Sequence, residues 1–301
     1  METELKTLPV VQHHQKAGKY MHLDSMKLFY LDEGKGDVVF CIHGVPTSSF
    51  LYRKVVSQIA RQGLRGVALD LPGLGLSDRP ENFSYRFSNF ATICQLFLDH
   101  LAIQSYHLVI HDIGAPIGLA LAARHPERVK SITVLNAMLD IEHFQKPLPM
   151  RPFELPVFGE AELLTLNHTT WKLMMKYAGV ENTNHVPDEE INAYIDLLKR
   201  EDNGKAFLKI MRNFEQTPEF NRQCYSAIHN ATYPIQLIWG AHDPFLDFDT
   251  YGQQFLEAAP RAQVYKVNSR HFLQEEYPEF IAEKINELAK SSASSPTQPE
   301  L

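Results

Sequence analysis

Two rhythms of apolar and polar positions alternate along the chain. Residues 38–42 (VVFCI), 66–70 (GVALD), 107–111 (HLVIH), 129–136 (VKSITVLN), 235–239 (IQLIW) and 264–267 are short, nearly continuous apolar runs. Runs of that length suit strands covered on both faces of a parallel sheet. Residues 21–32 (MHLDSMKLFYLD) mix apolar and polar positions before a GKG turn and predict one or two earlier strands. Helical spacing occupies residues 49–61, 88–101 and 115–124, one segment between 239 and 264, and a last segment at about 275–290. Strands alternating with helices predict an α/β fold with a mostly parallel central sheet flanked by helices.

The alternation stops after Asn136. Residues 146–156 (KPLPMRPFELP) hold four prolines in eleven positions, a density that argues against a helix or a central strand. Residues 163–177, 188–200 and 205–214 then carry helical spacing with no strand among them. The expected division is a core at 20–136 and 232–290, an inserted helical cap at 137–231, and a disordered tail at 291–301, where SSASSPTQPEL is poor in apolar residues.

Composition narrows the function classes. With 301 residues, 44% of them hydrophobic and 22% charged, the chain can bury a large core. Its net charge of −7 argues against a nucleic-acid partner, which calls for clustered Lys and Arg. No run approaches the roughly 20 apolar residues that span a bilayer, and METELKTLPVVQHHQKAGKY lacks the apolar stretch of a secretion signal. Cys41, Cys94 and Cys224 are odd in number and form no CxxC pair, so neither a disulfide framework nor a thiolate metal site is expected. A cytoplasmic protein acting on a small-molecule substrate and water is the expectation, without nucleic acid or membrane. Oligomeric state is not written in the pattern.

Parallel sheets gather chemistry at the carboxyl ends of their strands. There the chain places HGVPTSS after 38–42, LPGLGLSD after 66–70, His111-Asp112-Ile113-Gly114 after 107–110, Asp243 after 235–239, and His271 after 264–267. Two acids and a histidine at three strand ends make a nucleophile, acid and base set. Asp140, just past the strand ending at Asn136, is a rival acid. The bland readings are a helix cap for Asp112, a surface site for His271 and a turn for Asp243. His43 fits a structural role in its loop. His13-His14 is a weak metal signal in an expected tail, His111-Asp112 lacks the partners of a metal phosphohydrolase dyad, and Gly73-Leu74-Gly75 lacks the third glycine of a dinucleotide loop.

HGVPTSSFLYR, LDLPGLGLSDRP, LVIHDIGAPIGLALA and HFLQEEYPE resemble the α/β-hydrolase fold family, in its Asp-nucleophile branch, and haloalkane dehalogenases in particular. The order Asp112, Asp243, His271 matches that fold's nucleophile, acid and base. The resemblance covers about 20–136 and 232–290. It implies that Asp112 attacks, that His271 activates water, that Asp243 orients His271, and that the backbone N–H groups of Val45 and Ile113 form an oxyanion hole. No cofactor or metal is implied. A carboxylate suits attack on an sp³ carbon because it leaves an ester, which water can cleave, where serine would leave an ether.

The chain also departs from these relatives. Haloalkane dehalogenases usually carry Trp after the nucleophile and often Asn in HGNP, both holding the departing halide. Ile113 and Val45 stand there, and neither side chain donates. Trp171 and Asn167 in the cap are candidate substitutes. Epoxide hydrolases share the chemistry but use a cap proton donor, for which Tyr177, Tyr194, Tyr225 and His168 are candidates. Met211, in KIMRNF, stands where those enzymes commonly show Tyr before Arg. Trp171, Met174, Met175 and Met211 are expected to line an adaptable apolar pocket, with core filling as the plain alternative. The leading expectation is a haloalkane dehalogenase-like hydrolase working through an aspartyl ester on a small apolar electrophile. Epoxide hydrolase-like, lactone or ester hydrolase and non-catalytic small-molecule-binding readings stay open.

Overall fold

A computed structural model describes residues 9–294. Eight strands form one sheet in the order β1-β2-β4-β3-β5-β6-β7-β8. They are β1 (Lys19–Leu23), β2 (Met26–Gly34), β3 (Val38–Ile42), β4 (Arg65–Leu69), β5 (Tyr106–Asp112), β6 (Val129–Ala137), β7 (Ile235–Gly240) and β8 (Gln263–Val267). β1 and β2 pair antiparallel, β2 joins β4 antiparallel, and every other pairing is parallel. Every residue of β3 and β7 is buried, whereas the edge strands β1 and β8 keep exposed positions. The continuous apolar runs therefore mark strands covered on both faces.

Twelve helices accompany the sheet among the described residues: α1 (Pro9–Ala17), α2 (Arg53–Arg61), α3 (Phe87–His100), α4 (Gly114–Arg124), α5 (Phe158–Thr165), α6 (His168–Met174), α7 (Asp188–Lys199), α8 (Lys205–Arg212), α9 (Pro218–His229), α10 (Gln253–Ala258), α11 (Leu273–Glu276) and α12 (Pro278–Ser294). α2 packs on α12, while α4 packs between α3 and α9. α6 packs on α7, and a short 3₁₀ segment, Leu148–Glu154, packs on α5 and α8.

Several expectations are corrected here. The proline-rich stretch is helical after all, as the 3₁₀ turn Leu148–Glu154 with Pro152 inside it. So short a turn leaves few N–H groups in need of partners, so proline costs it little. The single helix expected over 163–177 is broken. Asn167 Oδ1 accepts from the N–H groups of Thr169 (2.9 Å) and Thr170 (3.2 Å), which starts α6 afresh, and Met175–Gly179 then widens into a π-turn. α9 is an addition to the expected helices. Its signal is plain in retrospect: Thr217 Oγ1 caps Phe220 N at 3.2 Å and Pro218 opens the first turn. α9 rests on α4, with Cys224 Sγ 3.7 Å from the Pro116 carbonyl. His13 and His14 lie in α1, not a tail, and His14 is buried between the rings of Phe29 and Phe50. The last helix runs on through Ser294, into the expected tail, and Pro278 divides it from α11. Residues 295–301 of that tail lie outside the described residues.

A buried ion cluster joins core to cap. Glu275, fully shielded on α11, accepts from Arg53 through both oxygens (2.6 and 2.9 Å), from Lys54 (2.9 Å), and from the Tyr194 hydroxyl in a short hydrogen bond. Glu190 on α7 accepts from the same Arg53 (2.5 Å) and Lys54 (2.9 Å). Removing one member strands a buried charge. Arg53→Ala should lower unfolding free energy by about 3 kcal/mol. Arg53→Met combined with Glu275→Leu should lose less, as read from urea midpoints; equal losses would refute the stranded-charge argument.

Candidate active site

Asp112 ends β5 with φ +52°, in the left-handed region, and α4 begins two residues later. A non-glycine residue held there stores about 1 kcal/mol or more of strain, and the turn throws its side chain out over the sheet's carboxyl edge. Two glycines make room for this. A Cβ on Gly44 would lie 2.2 Å from Asp112 Oδ1, and one on Gly114 would lie 2.4 Å from the Ile42 carbonyl. Val45 N–H donates to Asp112 Oδ1 at 2.8 Å. Burial pushes the Asp112 pKa up, opposed by the His271 charge and the N–H groups of Ile113 and Val45. The Val45 N–H, one of the two donors expected from the sequence, thus lies against the carboxylate.

His271 follows β8. Its Nδ1 lies 2.8 Å from Asp243 Oδ2, and its Nε2 is 3.8 Å from Asp112 Oδ2. The second distance is too long for a hydrogen bond, so Oδ2 keeps its lone pairs free. Burial alone would lower the His271 pKa, but the charge and hydrogen bond of Asp243, with the charge of Asp112, leave it raised. Asp243 is buried after β7. Its Oδ1 accepts from Phe245 N (2.9 Å) and Leu246 N (3.0 Å), and its Oδ2 also accepts from Asn136 Nδ2 (2.7 Å). Burial pushes this carboxyl up, yet His271 and the N–H donors outweigh it and hold its pKa below the usual range. The rival Asp140 instead faces half-exposed ground, paired with His143 at 3.0 Å and Asn221 at 3.2 Å.

Sequence reasoning missed two supports. Asn136, ending β6, holds Asp243 through Nδ2 while its Oδ1 accepts from Gly240 N at 2.7 Å. The signal was a polar residue at a strand end beside the Asp243 strand. His111 Nε2 donates to the His271 carbonyl at 2.9 Å, and its ring centroid lies 4.6 Å from that of His271. Burial, then the His271 charge, keep His111 well below the ordinary histidine range and so neutral. His43 is structural: Nδ1 donates to the Gly44 carbonyl (2.8 Å), and Nε2 accepts from Leu71 N (3.0 Å).

A small cavity of about 130 Å³ opens over Asp112 and His271. Trp171, Met174 and Met211 line it, as do Val45 and Ile113; Met175 is buried but lies outside the lining, packed near Gly179. Trp171 Nε1 is buried without a hydrogen-bond partner. None of the four expected cap donors lines the cavity. Tyr177 is exposed against Phe245, Tyr194 is spent on Glu275, Tyr225 packs on His229, and His168 pairs with Asp196 at 2.7 Å. Asn167 is spent capping α6. Lys146 and Glu162, which also line the cavity, had no readable signal because the cap lacks strand ends to order it. Among the described residues, no cluster of three or more His, Cys, Asp or Glu is arranged to hold a metal, and no helix is long and apolar enough to cross a membrane.

Asp243 gives a test by titration. Asp243→Asn removes the main group raising the His271 pKa, so the His271 ring should titrate at lower pH, followed by NMR. Because the folded pKa is raised, this pairing stabilises the fold below the unfolded value near 6.5, and the benefit fades as pH rises through the folded value. Asp140→Asn should leave the titration in place; a shift of the same size there would reverse the choice of acid.

The model of the alpha/beta hydrolase fold family matches residues 37–278. Haloalkane dehalogenase 2 of Mycobacterium tuberculosis is 28% identical over 273 residues, spanning 87% of this chain and 91% of that protein. A cis-3-alkyl-4-alkyloxetan-2-one decarboxylase of Shewanella oneidensis is 26% identical over 292 residues, spanning 93% and 90%. The crystal structure of the haloalkane dehalogenase DbeA from Bradyrhizobium elkani superposes with a TM-score of 0.76 at 24% identity, covering 92% of this chain and 98% of that one. The strand order, the strained turn at Asp112 and the matched span agree, and the chain belongs to the alpha/beta hydrolase fold family.

Proposed function

We propose that this hydrolase displaces a leaving group from an sp³ carbon of a small, largely apolar substrate by way of an ester on Asp112. The observation that carries the reading is the pairing of an unclaimed Asp112 Oδ2 with His271 Nε2 at 3.8 Å, above two backbone donors. In the first step Asp112 Oδ2 attacks carbon, the C–X bond breaks, and X departs with the bonding pair. In the second, His271 takes a proton from water, and the hydroxide attacks the Asp112 carboxyl carbon. The resulting oxyanion rests on the N–H groups of Val45 and Ile113. The intermediate collapses to free the alcohol, Asp112 is regenerated, and the His271 proton is released. Asp243 stabilises the transient imidazolium.

The leaving group is read from the donors carried by the residues that line the cavity. With no tyrosine in its lining and with Ile113 and Val45 apolar, the unpartnered donor is Trp171 Nε1. An indole N–H can hydrogen-bond a departing anion but cannot protonate an alkoxide. That favours halide over epoxide. A strained lactone, which would leave as a carboxylate, meets the same requirement, and the Shewanella relative lends that second reading support.

His271→Gln, exposed to pooled alkyl halides, epoxides and lactones, should accumulate the ester on Asp112 by intact mass spectrometry. Gain of substrate minus HX marks a halide; gain of the whole molecule marks ring opening. Absence of any adduct, with an inert wild type, would refute the covalent reading. Trp171→Phe should slow ester formation about 10- to 100-fold, and an unchanged rate would remove Trp171 from the leaving-group site.

A further inference from the structure

The loop carrying His271 is bonded to the cap at three successive residues, Arg270, His271 and Phe272. His271 N–H donates to the Ala178 carbonyl at 3.0 Å, and Phe272 N–H to the Gly179 carbonyl at 2.7 Å. Arg270 Nε donates to Glu181 Oε2 (3.0 Å), and its Nη1 reaches the carbonyls of Lys176 (3.0 Å) and Tyr177. Glu276 closes the other side: its two oxygens accept from the N–H groups of Glu181 and Asn182, each at 2.9 Å, and from Ser269 Oγ at 2.5 Å. Gly179 sits so close that a Cβ there would lie 3.2 Å from the Phe272 ring. Asp112 is held differently. Its carboxylate bonds to Val45 N, on the loop after β3, and its backbone ends β5, two residues before α4.

We propose that Arg270 and Glu276 are positioning residues that use cap residues 175–182 to aim His271, so that the cap governs ester hydrolysis separately from ester formation. This rests on the covalent reading above. Attack on substrate needs only Asp112 and the leaving-group donor, whereas hydrolysis needs Nε2 aimed at a water beside the ester carbon. A general base displaced by a fraction of an ångström loses that water, while the nucleophile stays in place.

The two steps separate kinetically. Ester formation is irreversible when X is released, so kcat/KM reports it, and kcat reports hydrolysis when hydrolysis is slower. Arg270→Ala and the milder Glu276→Gln are assayed with the substrate that loads His271→Gln. Each should lower kcat about tenfold or more and lower KM in proportion, leaving kcat/KM within about twofold, with the ester visible at steady state by mass spectrometry. Arg270→Lys, which keeps one donor, should recover part of kcat. Equal falls in kcat and kcat/KM, or no change in either, would overturn the positioning role. If Arg270→Ala fails to fold, the same kinetic comparison on Glu276→Gln decides the matter. Failure of His271→Gln to load any ester would instead overturn the covalent reading beneath it.

Discussion

A carboxylate held out of water in a left-handed turn is the constraint on which the rest of the site depends. Burial disfavours the charge of Asp112, and the fold answers with two backbone N–H groups on one side and an imidazole on the other. Each answer constrains further sequence. The N–H of Val45 reaches Oδ1 only because Gly44 has no side chain to strike it, and the N–H of Ile113 is presented by a turn that needs Gly114 against the Ile42 carbonyl. His43 then fixes the Gly44 carbonyl and ties the loop to Leu71. The motif HGVP and the motif HDIG are thus two halves of one clash-free cradle.

The acid and base are arranged by the same logic at longer range. Asp243 is held below the usual carboxylate range despite burial by the charge and hydrogen bond of His271, then by the N–H groups of Leu246 and Phe245, while Asn136 also donates to it. His111, its ring tilted beside that of His271, must stay neutral or it would oppose the imidazolium; burial achieves that. A neutral His111 still donates to the His271 carbonyl, so it braces the loop without adding charge.

How much was legible follows from this difference between core and cap. Strand ends order chemistry along a parallel sheet, so Asp112, Asp243 and His271 could be named from their places after apolar runs. β3 matches its run to the residue, and β5 and β7 lie within one or two. The supporting roles of Asn136 and His111 escaped the sequence because one acts on an acid and the other on a backbone carbonyl, roles that no spacing records. In the cap the side chains are chosen by packing of short, capped pieces. Asn167 breaks a helix that periodicity ran together, and Tyr194 is drawn to Glu275, 81 residues away in sequence. Composition could mark Trp171 and the methionines as pocket-like, but not exclude Tyr177 or His168, whose directions depend on where α6 begins.

Val45 and Ile113 show why the family's chemistry can change while its fold persists. In the proposed mechanism each residue would act on the reaction twice, by separate parts. The backbone N–H would support the oxyanion of the second step, and any residue other than proline supplies it. The residue itself lines the cavity, where a side-chain donor would favour one kind of leaving group over another. Replacing that donor with a hydrocarbon withdraws stabilisation from the first step and leaves the second untouched. In that mechanism leaving-group support would come from the cap, where Trp171 lines the same cavity and its buried Nε1 has no hydrogen-bond partner. In the proposed mechanism, support for the bond broken thus falls to the part of the chain with the least regular pattern, whereas the groups that hydrolyse the ester stand at the sheet's strand ends and residues 175–182 only aim one of them.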